Sequence, residues 1–342
     1  MVTGPNSPRA AVVKKGDVPL RQFYEERLQL TEVYDRLGFY CYHVAEHHCT
    51  PLGVASSPGI LLSAAAQRTR TLRLCPMVYL LPFYHPLRIA EEICMLDQMS
   101  GGRLDVGVGR GVSPVEARYY GLEPDPAVSR EVFEESLSIV LAALTQKKVT
   151  FQGKHRSVDD VPIQLEPLQK PHPPLWMGVE TPVNAQTAGR KGFNFLSRLS
   201  PLETRERVEL YRAAAAEAQK PVHPNTKMGG IFFIVVADTD AAAQDIADAA
   251  FKSWHRSFHY LYKLHGRAPV FGEQPAEFSY MQGVNRAIAG TPDTVADFLG
   301  KAIKDAGINY VVGHFAFGDM KHADALRSVE LFATQVMPRL RA

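Results

Sequence analysis

Phe39-Tyr40-Cys41-Tyr42-His43-Val44-Ala45-Glu46-His47-His48 is an apolar run that ends on a carboxylate and two imidazoles. The apolar part reads as a buried β-strand, which leaves the Glu-His-His triplet at its C-terminal end. In a β/α barrel that end is the reactive face, because the loops leaving it build the site. Histidine titrates near neutral pH, so His47 is a candidate base toward a bound reactant, with His48 beside it. The competing reading is a pair of solvated or packed histidines; the triplet's placement favours chemistry.

Outward from this run, strand-like and helix-like segments alternate, which argues for parallel strands with helical crossovers. Helical periodicity covers about 20–37 and stops at Gly38. Further strands read at 72–80, 103–109, 175–179, 193–196, 231–236 and 309–315. Pro76 predicts a bulge or break within the first of these. Helix starts are marked by Ser57-Pro58, His85-Pro86, Thr181-Pro182 and Thr291-Pro292, and by the capping box Ser200-Pro201-Leu202-Glu203. The pattern predicts a TIM-type (β/α)8 barrel of one domain over residues 1–342, with an excursion at 150–174 before strand 5. A long loop or lid at 265–285 follows strand 7. Seven strands are clear where eight are needed. The first is short or missing, represented only by fragments at Met1-Val2 and Ala10-Val13. An unfilled first position leaves two strand edges exposed.

Hydrophobic residues make up 46% of the 342, enough for a large core. Lys+Arg 38 against Asp+Glu 36 gives a formal charge of +2, which argues against a dedicated nucleic-acid surface. No window of about eighteen apolar residues suggests a membrane span, and no leader pattern opens the chain. Cys41, Cys49, Cys75 and Cys94 form no Cys-x-x-Cys pair. They read as reduced, mostly packed thiols of a cytoplasmic protein, with no metal site.

Two more strand ends carry polar residues. Gly107-Val108-Gly109-Arg110-Gly111 has glycines that allow close approach to a ligand, and Arg110 suits a phosphate or carboxylate. A tight turn with a solvated arginine explains it equally well. In Gly178-Val179-Glu180-Thr181-Pro182-Val183-Asn184 a helix starts directly after a strand. Its unpaired N–H groups and dipole favour an anion, although an ordinary Thr-Pro cap is the commoner use of such residues. Together the three ends suggest a phosphorylated cofactor across the barrel mouth, near a histidine.

The pattern resembles the flavin-dependent luciferase-like monooxygenases, the bacterial luciferase α subunit in particular. The residues that carry it, in order, are Glu46-His47-His48, Leu81-Pro82 with His85-Pro86-Leu87-Arg88, Leu96-Asp97-Gln98-Met99-Ser100, Gly102-Arg103 and Gly107 with Arg110-Gly111. Glu180-Thr181, Trp254, Gly290-Thr291-Pro292 and Val336-Met337-Pro338 follow. The resemblance implies a barrel that uses reduced FMN and O2 to oxidise a small organic substrate through a flavin C4a-peroxide. It implies His47 as base, and Arg110, Glu180, Thr181 and Asn184 at the phosphate. Met77-Val78 corresponds to a non-proline cis peptide under the flavin ring, and the lid falls at 265–285. His48, Arg198 and Trp254 fall to the substrate pocket. A separate flavin reductase and a homodimer are implied, with helices of the barrel's early half at the interface. Two departures matter: Gly109 stands where the luciferase subunit has a reactive cysteine, and Arg198 replaces a pocket aromatic. Light emission is therefore not expected, and Arg198 hints at a polar or anionic substrate. Two alternatives keep the fold: a deazaflavin-dependent hydride-transfer oxidoreductase and a non-catalytic flavin-binding protein.

Overall fold

The computed structural model describes residues 14–15, 18–220 and 222–340. A two-residue hairpin, β1 (Lys14–Lys15) and β2 (Val18–Pro19), leads into α1 (Leu20–Arg36). Then come β3 (Cys41–Val44), α2 (Pro58–Arg68), β4 (Arg73–Pro76), β5 (Tyr79–Leu80), α3 (Pro86–Ser100) and β6 (Val106–Gly109). Helices α4 (Pro114–Tyr119) and α5 (Pro126–Thr145) precede a hairpin, β7 (Lys148–Gln152) and β8 (Ser157–Pro162). The alternation resumes with β9 (Leu175–Gly178), α6 (Pro182–Lys191), β10 (Asn194–Ser197), α7 (Pro201–Glu217) and β11 (Met228–Val236). Helices α8 (Asp240–Phe258), α9 (Tyr260–Leu264) and α10 (Phe278–Gly283) come next. Then come β12 (Ala287–Gly290), α11 (Pro292–Ala306), β13 (Tyr310–His314) and α12 (His322–Leu331), continued by a π-helical turn (Phe332–Val336) and a short helix α13 (Met337–Leu340).

Strands β3, β4, β6, β9, β10, β11 and β13 are the seven read from the sequence, and they neighbour one another in chain order. β3 pairs parallel with β4, and Leu74 of β4 bridges to Leu104 just ahead of β6. Parallel pairing continues through β6–β9, β9–β10, β10–β11 and β11–β13. Both faces are covered, so a strand such as β11 is one apolar run with almost every residue buried. Beneath the mouth, Trp176, Cys75 and Leu196 fill the interior. The Trp176 Nε1–H donates to Asp105 Oδ2 at 2.7 Å, and Arg73 pairs with the same carboxylate. The N-terminal end is thus plugged, as a packed barrel requires.

Among the described residues no main-chain pair joins β13 to β3. Side chains bridge the seam instead: Tyr310 hydroxyl to His43 Nε2 at 3.0 Å, and the rings of Phe39 and Phe315 at 5.8 Å. The expected fragments at Met1-Val2 and Ala10-Val13 lie outside the described residues.

Two segments are more ordered than the sequence reading had them. The excursion at 150–174 contains part of an antiparallel hairpin that the charged residues in it conceal; Glu135 of α5 accepts the N–H groups of Lys154, His155 and Arg156 and pins its turn. The segment 265–285 is not all loop, since α10 occupies its end and buries Phe278 and Met281 against Phe251 and its neighbours. That burial follows i, i+3 spacing, too short a run to read as a helix beforehand. Pro76 ends β4, and the Met77–Val78 peptide that follows is cis.

Candidate active site

A cleft of about 1000 Å³ opens at the C-terminal ends of the strands and continues down the seam between β13 and β3, past Tyr40, Asn309 and Tyr310. That volume matches the upper range of small-molecule sites, roughly 300–1,000 Å³. His47, Met77, Val78, Arg110, Glu180, Thr181, Asn184, Arg198 and Trp254 all line it. His48 does not, and its expected place in the substrate pocket is corrected.

The triplet divides its labour. His48 is buried, its Nε2 2.6 Å from Glu46 Oε1 and its Nδ1 2.9 Å from the Tyr120 hydroxyl. Its ring stacks on Phe83 at 5.2 Å. The other oxygen of Glu46 accepts the Leu80 N–H at 3.2 Å. Every polar atom of this pair is occupied, so the pair holds the loop and leaves nothing for a reactant. His47 points the other way. Its Nδ1 lies 3.5 Å from Glu116 Oε1, while Glu116 Oε2 accepts the His48 N–H at 2.8 Å. Burial pushes the Glu116 carboxyl up, but the His47 hydrogen bond and charge, with the His48 N–H, hold it below its ordinary value. A carboxylate there suits an Nδ1–H donor on His47, the tautomer in which the lone pair sits on Nε2. Glu116 comes from α4, whose start is capped by the Ser113 side chain accepting the Glu116 N–H. Nothing at the β3 strand end signals it.

Gly107 and Gly109 were read as permitting close approach of a ligand. What approaches is the adjoining segment of the same chain. A Cβ on Gly107 would lie 2.4 Å from the Pro76 carbonyl, and one on Gly109 2.4 Å from Val78 Cγ2. The two glycines let the cis Met77–Val78 segment press against β6 and form part of the cleft wall.

Further along, Arg110 makes one weak hydrogen bond, to the Pro126 carbonyl at 3.4 Å. Burial and the nearby Arg130 pull its pKa down. Neither guanidinium has an ion pair among the described residues, so the two cations suit a dianion such as a phosphate monoester. Thr181 is an N-cap: its oxygen accepts the Asn184 N–H at 3.3 Å, and Asn184 Nδ2 donates to the Gly178 carbonyl at 3.1 Å. The Thr181 hydroxyl proton is left to donate outward. Glu180 is instead committed to Arg198, Oε1 to Nε 3.1 Å. Its carboxylate anchors that arginine and would repel a phosphate. Arg130, Arg286 and His314 also line the cleft and were not anticipated from the sequence; they sit on a helix, a strand start and a strand with no motif around them. Among the described residues no group of three His, Cys, Asp or Glu could hold a metal ion.

A family model described as luciferase-like monooxygenase matches residues 8–310. The chain belongs to that family. It is, at family level, a flavin-dependent monooxygenase and thus an oxidoreductase. An uncharacterised protein of Sinorhizobium fredii, y4wF, is 38% identical over 326 residues, 95% of this chain and 94% of that one. Limonene 1,2-monooxygenase of Rhodococcus erythropolis is 29% identical, over 91% of this chain and 80% of the enzyme. The crystal structure of monooxygenase RslO1 from Streptomyces bottropensis superposes with a TM-score of 0.85 at 27% identity, covering 96% of each chain. Two more distant structures share the fold. One is the oxygenating constituent of 3,6-diketocamphane monooxygenase from Pseudomonas putida in complex with FMN (TM-score 0.78, 22% identity, 94% of each chain). The other is the coenzyme F420-dependent tetrahydromethanopterin reductase of Methanopyrus kandleri (0.70, 22%, 93% and 96%). No described helix is long and apolar enough to cross a membrane.

Proposed function

We propose that this protein is the oxygenase of a two-component system that takes reduced FMN from a separate reductase and oxidises a small organic substrate with O2. The observation that carries this reading is a single cleft joining the free face of His47 to the paired cations Arg110 and Arg130 and the capped helix start at Thr181. Reduced FMN supplies two electrons, so that one oxygen atom of O2 enters the product and the other leaves as water. Arg110, Arg130 and the Thr181 hydroxyl hold the phosphate. Met77 and Val78 would form a wall beside the flavin ring. His47, oriented through Nδ1 by Glu116, accepts or returns a proton at Nε2. The loop 265–277 brings Val270 and Phe271 over the cleft and restricts water.

A homodimer is part of this reading. Ile60 on α2 and Met95 and Met99 on α3 are exposed apolar residues on adjacent helices of the barrel's early half.

Anaerobic fluorescence titration with reduced FMN tests the proposal. Binding should weaken at least about tenfold in Arg110→Ala, the loss of one charge-assisted contact of about 1.5–3 kcal/mol. Reoxidation of the bound flavin in air should be slower than that of free flavin. Tighter binding of a deazaflavin coenzyme than of FMN would reverse the assignment, and flavin binding without turnover across a broad substrate panel would point to a non-catalytic role.

A further inference from the structure

The cleft holds a second pair of guanidiniums, Arg198 at the end of β10 and Arg286 just ahead of β12. We propose that these two form an anion subsite for the organic substrate, and that the substrate is a flat, largely apolar acid such as an arene carboxylate. This rests on the flavin reading of the cleft, because it assigns to the second ligand the cations that the flavin phosphate does not need.

Arg286 carries the argument. Its Nε is buried and has no hydrogen-bond partner, and among the described residues its guanidinium makes no ion pair. Two carboxylates are near enough to attract it, Glu180 and Glu203, and both are otherwise engaged. Glu180 holds Arg198. Glu203 closes the capping box of α7, accepting the Ser200 N–H at 3.0 Å. Arg286 as a whole is half-buried, but a buried Nε without a partner is costly, and a ligand anion is the group that would relieve it. Burial pulls the Arg286 pKa down first, and the like charge of Arg198 adds to it. His314, on the neighbouring β13, registers the same field: burial, then Arg198 and Arg286, take its pKa down to about 4. A neutral imidazole therefore faces the two cations and adds a hydrogen-bonding group without charge.

The walls beside this pair are aromatic. Phe233 packs edge-on against Trp254 at 4.9 Å and lies 4.8 Å from the His314 ring. Phe271, from the covering loop, lies under the Arg198 guanidinium at 5.0 Å. Trp254 and Phe258 stack at 5.0 Å. Such walls favour a planar body, while the guanidiniums supply the bidentate geometry that a carboxylate matches. Phe271 also ties the position of the loop to Arg198.

The probes are 2-naphthoate and its neutral counterpart 2-naphthamide, followed by calorimetry and by tryptophan fluorescence, with Trp254 in the cleft. The full-length protein should bind the carboxylate at least about tenfold more tightly than the amide. Arg286→Gln should remove that preference, and Arg198→Gln, nearer the rim, should reduce it even if the Arg286 variant folds poorly. FMN affinity should change less than about threefold in Arg286→Gln, which leaves the Arg198–Glu180 pair intact. Equal binding of the two probes, or a preference unaltered in both variants, overturns the subsite. A collapse of FMN affinity in Arg286→Gln overturns it too, by giving that arginine to the flavin. Carboxylate preference with no flavin binding at all would leave the subsite standing and remove the flavin reading instead.

Discussion

Glu116→Gln separates the role of Glu116 from mere packing. The carboxylate is buried, accepts the His48 N–H at 2.8 Å and faces His47 Nδ1 at 3.5 Å. The longer contact sits at the limit of a hydrogen bond, so most of the stabilisation belongs to the His48 N–H. A bond to a charged acceptor contributes about 1.5–3 kcal/mol, and a neutral amide oxygen retains about 0.5–1.5 of that. The variant should therefore lose about 1–2 kcal/mol at neutral pH. The pH dependence has a definite sign. The folded-state pKa of Glu116 is lowered against the opposing push of burial, by His47 and the His48 N–H. Its contribution is present above the unfolded value, near about 4.3, and is lost as pH falls through the folded value. The gap between wild type and variant should then shrink as pH drops from about 6 toward 3. Chemically, a glutamine whose oxygen keeps the His48 N–H must turn its NH2 to His47, which moves the ring proton to Nε2. His47 then has no lone pair for the cleft, and proton transfer should slow by about 10²–10⁴-fold. Urea unfolding at several pH values measures the first effect, and heteronuclear NMR of the histidine ring nitrogens reads the tautomer. A stability gap that does not change with pH, or an Nε2–H tautomer already present in the wild type, would refute the reasoning.

Gly109→Cys should cost about 1–3 kcal/mol by overpacking, since its Cβ would stand 2.4 Å from Val78 Cγ2, and should weaken FMN binding by displacing that wall; unchanged urea midpoint and affinity would count against a close fit there. His314, with a pKa drawn down to about 4 by burial, Arg198 and Arg286, stays neutral where the unfolded chain takes up a proton. Stability should rise with pH between about 4 and 6.5 and level off above, by at most about 3 kcal/mol because the ring borders the open cleft. His314→Phe should flatten that slope, and an equally steep profile in the variant would remove His314 as its source. Ile60 is 75% exposed, so Ile60→Arg should convert a dimer to monomer in light scattering without loss of fold; a variant that remains dimeric would place the interface elsewhere.

The barrel-type alternation was legible because it rests on local periodicity. Apolar runs of four to nine residues alternate with helical stripes, and Ser200 with Glu203 spells a capping box that the structure contains. The cis Met77–Val78 peptide was anticipated only through family resemblance, and the structure contains it. Which histidine faces the cleft was not legible. His47 and His48 are adjacent and chemically identical, and their fates are set by Glu46, Tyr120 and Glu116, the last two about 70 residues away. The glycines of β6 looked like ligand contacts and proved to accommodate Pro76 and Val78 of the neighbouring segment, a packing relation that no spacing encodes. Arg130, Arg286 and His314 carry no motif, and they matter because three separate elements converge on one cavity. Pattern along the chain fixes which face of each element is buried, since that depends on a repeat of two or 3.6 residues. The pairing of charges across the mouth depends on distances between elements, and only the folded molecule sets those.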